Sequence, residues 1–89
     1  MNAIITVVGS DKVGIIAKVS AFLASCDINI EDISQTILSG SFVMMMMVDL
    51  SKSTMPLDKV KSALAVLGGT MDVSISLMHE KVFSAMHRI

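Results

Sequence analysis

The hydrophobic period changes inside nine residues, Val7-Val8-Gly9-Ser10-Asp11-Lys12-Val13-Gly14-Ile15, so a strand must hand over to a helix at one short corner. Ala3-Ile4-Ile5-Thr6-Val7-Val8 before it is rich in β-branched residues, as a buried strand is. Ile15, Ile16, Val19, Phe22, Leu23 and Cys26 after it recur at helical spacing. Gly9 frees the backbone at the strand end, and Asp11 is placed to cap the new helix through its carboxylate. Gly14, in the first helical turn, has no side chain to screen the exposed N–H groups. Two readings fit this corner: a turn that only joins strand to helix, and a helix start that receives a carboxylate or other anion, with Lys12 as a nearby cation. A dinucleotide fingerprint is excluded because the third glycine is missing, and a phosphate loop because no Gly-Lys-Ser/Thr follows.

Further along, Ser25-Cys26-Asp27 breaks the helical pattern. Asn29–Leu38 reads as a polar strand suited to a sheet edge, and the displaced spacing of Ile30 and Ile33 signals a bulge. Ser39-Gly40 is a two-residue hairpin signal. In the run Phe42–Leu50, Phe42, Met44, Met46, Val48 and Leu50 point one way and Val43, Met45 and Met47 the other, so this strand belongs in the middle of a sheet. Pro56 opens a second helix with Leu57, Val60, Leu64 and Leu67 on its core face, and Gly68-Gly69 is the expected stop. Met71–Leu77 alternates as a strand with one solvated face. Val82, Phe83, Met86 and Ile89 predict a short amphipathic helix at the end.

The expected strands are 3–8, 29–38, 41–50 and 70–78, and the expected main helices 13–26 and 55–67. With right-handed crossovers this order gives an α+β fold, a ferredoxin-like βαββαβ sandwich. It has a four-stranded antiparallel sheet, both main helices on one face and a short C-terminal helix. The other face is left bare, to be covered by the terminal helix or by a second subunit.

At 89 residues the chain has room for one domain, 1–89. A domain of that size buries only about 60–65% of its unfolded surface, which makes a partner copy a natural source of further burial. Hydrophobic residues make up 53% of the chain, yet no apolar run approaches the roughly 20 residues of a membrane span. Met1-Asn2-Ala3 has no signal-peptide character, and the single Cys26 sits on a core stripe as a reduced thiol; both place the chain in the cytoplasm. A net charge of −1 without a basic stripe, and three phenylalanines as the only aromatics, argue against nucleic acid as a partner.

Gly9-Ser10-Asp11-Lys12-Val13-Gly14-Ile15 resembles the G-x-D-[RK]-x-G-[IL] turn of the ACT domain family. The likeness continues through Ala17–Leu23 into Asp27-Ile28-Asn29-Ile30, and Val82–Ile89 is similar to the ending of stand-alone members of this length. The amino-terminal modules of formyltetrahydrofolate deformylase and of the glycine cleavage repressor share the opening turn. The resemblance implies a regulatory, non-catalytic module that forms a homodimer and binds an amino acid or similar metabolite between copies. Gly9, Asp11, Val13, Gly14 and Ile15, with Lys12 beside them, then line one side, and Asn29 and Ile30 arrive from the neighbouring subunit. A regulated protein partner is also implied. The alternative is an interaction module in which the same fold supplies dimer surfaces and the pocket is vestigial.

Other uses of this topology lack their residues. The first loop carries no arginine for acylphosphatase chemistry, and the middle strands carry no stacking aromatics for RNA. No paired cysteines are present for metal carriage. Met44–Met47 alternate between two faces, so their sulfurs do not converge on a metal, and His79 and His87 have no nearby cysteine or acidic partner set. No nucleophile–base pair is readable, so neither an enzyme nor a cofactor is expected.

Overall fold

Seven elements carry the two periods. The computed structural model describes residues 1–10 and 14–86. They are β1 (Asn2–Gly9), α1 (Ile15–Ser25), β2 (Asn29–Leu38), β3 (Ser41–Asp49), α2 (Leu57–Met71), β4 (Ser74–His79) and α3 (Glu80–Met86). The sheet order is β2-β3-β1-β4, all neighbours antiparallel, so the doubly apolar β3 is interior and the polar β2 is an edge. The ferredoxin-like βαββαβ arrangement is the one the periods imply.

Rows of the register define the two sheet faces. Ala3, Ile5 and Val7 of β1 align with Val48, Met46 and Met44 of β3, and Ile5 and Val7 with Leu77 and Ile75 of β4. These residues are buried in one cluster with Ile15, Val19 and Leu23 of α1 and Val60 and Leu64 of α2. The opposite face carries Ile4, Thr6 and Val8, aligned with Met47, Met45 and Val43. The three β3 residues there are only half-buried. Ile4 lies outside the core cluster yet is 6% exposed, and α3 packs on β1 and β4. The short terminal helix thus serves its own sheet; His87, Arg88 and Ile89 lie outside the described residues.

Several local expectations change. Gly68-Gly69 do not stop α2, which runs on to Met71. A Cβ on Gly68 would stand 2.8 Å from the Val73 carbonyl oxygen, so the glycine is there to let α2 approach β4. Termination falls to Asp72, left-handed at φ 57, with the Val73 N–H donating to the Gly68 carbonyl at 2.9 Å and the Asp72 N–H to that of Gly69 at 3.4 Å. As a result β4 begins at Ser74, not near residue 70. Asp27 ends α1 the same way, with the Ile28 N–H donating to the Leu23 carbonyl at 3.0 Å. Ile16 is off the core stripe and 38% exposed. The bulge lies where β2 spacing slips, between Ile30 and Asp32, and Ser39 and Gly40 both take positive φ in the β2–β3 turn.

Candidate functional site

A glycine flanks the corner after β1 on each side. Gly9 is half-buried at the strand end, and Gly14 is the N-cap of α1 at φ 95, so it precedes the first turn instead of lying within it. A left-handed backbone of this kind favours glycine, and nothing stands within 4 Å of where a Cβ would be. Among the described residues, no side chain makes a cap hydrogen bond to the α1 start, and its first turn has no acidic residue. Its leading N–H groups form the positive end of the helix. Asp11, Lys12 and Val13, the expected cap and lining residues, lie outside the described residues. Ile15 is 1% exposed and sits in the core, so only its backbone is on offer to a ligand.

Asn29 and Ile30 stand at the other end of the sheet. Asn29 shares a row with Asp49 and Asn2, whereas Gly9 shares a row with Phe42 and Ile37. Seven strand residues separate those rows, about 23 Å at ~3.3 Å per residue. One chain does not bring the two halves together. Ile30 is half-buried against the core, leaving Asn29 as the exposed polar group of the pair.

Asn29 lines a shallow cleft of about 510 Å³ with Ala24, Asp27, Ile28, Asp49 and Lys52. Asp49 accepts hydrogen bonds from the Ser51 N–H and the Ser51 hydroxyl, both at 3.0 Å, and its Oδ1 lies 3.7 Å from the Met1 ammonium. The Ser51 N–H, then the hydroxyl, holds its carboxyl below the ordinary value, with a smaller contribution from the ammonium. Sequence reasoning missed Asp27, Asp49 and Lys52. The alternation of β3 already sent Asp49 to the face that Asn29 shares, and that was the available signal.

A second, smaller cavity of about 170 Å³ opens on the sheet face opposite α1 and α2, among Ile4, Asp32, Ser34, Met45, Met46 and Met47. Met44 and Met46 are fully buried on the helix face and Met45 and Met47 lie on the other, so the four sulfurs diverge. No group of three or more His, Cys, Asp or Glu residues is arranged to hold a metal among the described residues. The His79 Nδ1 accepts the Lys81 N–H at 3.0 Å at the start of α3. Cys26 is buried and donates to the Met55 sulfur at 3.4 Å. No helix among the described residues is long and apolar enough to cross a membrane.

The sequence pattern of the ACT domain matches residues 2–78. A UPF0237 protein of Listeria monocytogenes is 49% identical over 89 residues, covering 100% of both chains. Among solved structures, an ACT domain protein from Streptococcus pneumoniae superposes with a TM-score of 0.82 at 37% identity, covering 100% of this chain and 97% of that one. A formyltetrahydrofolate deformylase from Pseudomonas syringae superposes with a TM-score of 0.77 at 26% identity, over 86% of this chain and 26% of the deformylase.

Proposed function

Because the chain belongs to the ACT domain family, whose members are regulatory small-molecule-binding modules, we propose that it is a non-catalytic sensor of an amino acid or similar metabolite, bound where two copies meet. The carrying observation is the α1 start behind the left-handed Gly14, where no described side chain makes a cap hydrogen bond and no described atom lies within 4 Å of a Gly14 Cβ. A ligand carboxylate there accepts from backbone N–H groups and gains from the helix dipole. Asn29 of the second copy supplies a polar partner, and Asp27 or Asp49 of its cleft a counter-charge for an ammonium group. The whole chain, 1–89, acts as one module, in the cytoplasm, on a regulated protein. The exposed Ile33, Ile37 and Leu38 of β2 favour a second reading, an interaction module that uses the same seam with no ligand.

Calorimetry of the purified protein against the common amino acids separates the two. Under the sensor reading one of them binds, and Asn29→Ala weakens it about fivefold, the loss of one hydrogen bond worth on the order of 1 kcal/mol. Gly14→Asn, which tolerates the left-handed backbone better than other residues, abolishes binding while the dimer persists. No heat from any amino acid at millimolar concentration leaves the interaction module standing.

A further inference from the structure

Going beyond the sensor reading, we propose that Met45 is a modification site, where a hydroperoxide oxidises the thioether and the hydroxyls of Thr6 and Ser34 receive the sulfoxide oxygen. Met44–Met47 divide two and two between the sheet faces. Met44 and Met46 are fully buried in the core with α1 and α2, out of reach of an oxidant while the fold is intact. Met45 and Met47 are half-buried on the opposite face. Among the described residues α3 packs there on β1 and β4, and on neither β2 nor β3. Both methionines line the cavity of about 170 Å³ on that face. One water needs only about 10–15 Å³, so a small peroxide has room beside either side chain.

Cross-strand neighbours distinguish the two. Met45 lies between Thr6 of β1 and Ser34 of β2, and Ser76 of β4 continues the row. Side chains aligned in this way have Cβ atoms about 4.5–5.5 Å apart, within reach of one another. Met47 lies instead between Ile4, which is 6% exposed, and Asp32. A hydroxyl donates a hydrogen bond, whereas an ionised carboxylate only accepts. In the reaction the sulfur lone pair attacks the terminal oxygen of the hydroperoxide. An S–O bond forms as the O–O bond breaks, and the proton of the transferred oxygen passes to the leaving oxygen, which departs as water or an alcohol. Sulfur gives up two electrons and the peroxide takes them. At Met45 the Thr6 and Ser34 hydroxyls donate to the oxygens that gain charge in this step, and afterwards to the sulfoxide. At Met47 the same oxygen meets an apolar side chain and a second acceptor. A dithiol reductant resets the site, its two thiols closing to a disulfide while the oxygen leaves as water.

The test is a time course of the folded protein in dilute hydrogen peroxide, with tandem mass spectrometry locating each added oxygen in the run of four. Met45 is expected to gain oxygen at least about tenfold faster than Met44 and Met46, whose thioethers are shielded. It should lead Met47 by about fivefold, the rate that one hydrogen bond made in the transition state confers. The Met45 to Met47 ratio is read within one molecule, so a general change in stability or peroxide concentration does not move it. In the double variant Thr6→Val, Ser34→Ala the ratio should fall to about one, since both donors are gone and the apolar shape is kept. Should the double variant not fold, Ser34→Ala alone, at an exposed edge position, lowers the ratio by about half or more. Oxidation of Met45 no faster than of Met44 and Met46 overturns the proposal. So does Met47 gaining oxygen first, or a ratio that survives the loss of the hydroxyls.

Discussion

Ile5 and Ile37 are the same residue on the same face of one sheet, yet Ile5 is fully buried and Ile37 is 67% exposed. Ile5 lies between Met46 and Leu77, under both helices, while Ile37 has Phe42 on one side and nothing on the other. The chain has enough helix to cover β1, β3 and β4. It does not have enough to cover the far half of β2, whose apolar side chains are left for another surface. The core is thus complete within one chain, whereas the far half of β2 keeps Ile37 and Leu38 exposed.

The sharpest way to break this contrast is to truncate both isoleucines. Ile5→Ala is expected to lower unfolding stability by about 2–5 kcal/mol, through lost transfer energy and the cavity left behind. Ile37→Ala should stay within ~0.5 kcal/mol in dilute protein, while weakening self-association measured by sedimentation. Denaturant melts at two protein concentrations check both: the Ile5→Ala deficit persists at each, and the Ile37→Ala deficit grows with concentration. Equal losses for the two variants at low concentration would erase the distinction between core and edge.

Much of this division was legible in the sequence. The two apolar faces of Phe42–Leu50 put β3 inside the sheet, and the polar density and slipped spacing of Asn29–Leu38 put β2 at the edge with its bulge. Where the reading failed, tertiary contact outweighed local signal. Gly68-Gly69 resembles a helix stop, but Gly68 faces β4 at a distance no larger residue allows, and Asp72 ends the helix. Ile16 fits a helical stripe yet lies outside the arc that meets the sheet. The candidate site was read from two motifs, Gly9–Ile15 and Asn29-Ile30. Spacing along the chain gave no hint that they stand at opposite ends of the sheet. Asp27, Asp49 and Lys52 were missed because the hairpin and the α1 turn bring them together, and no motif does.

Gly68 and Gly69 sharpen the contrast within a single helix. A Cβ on Gly68 meets the Val73 carbonyl oxygen at 2.8 Å and the Ile75 Cγ1 at 3.1 Å, whereas one on Gly69 meets nothing within 4 Å. Gly68→Ala is therefore expected to cost about 1–3 kcal/mol from overpacking against backbone. Gly69→Ala should stabilise by about 0.5–1 kcal/mol through helix propensity. Thermal melts of the two single variants, opposite in sign at adjacent positions, test whether α2 is pressed on β4 as closely as described.

The smallest effect belongs to Asp49, which shares a row with Asn29 but, unlike the apolar side chains farther along β2, is satisfied within its own chain. Its folded carboxyl titrates below the ordinary value because the Ser51 N–H and hydroxyl bond the charged form, with the Met1 ammonium adding a weaker attraction. A carboxylate whose folded pKa is depressed stabilises the fold above the unfolded value, about 3.9, and loses that contribution as pH falls through the folded value. Asp49→Asn should thus melt slightly below wild type at pH 6, and the gap should close as the pH is lowered below 4. Added salt should shrink only the part due to the ammonium, since screening acts on the exposed ion pair more than on the Ser51 hydrogen bonds. A gap that stays constant from pH 6 to pH 2 would mean that the carboxylate charge contributes nothing at this rim.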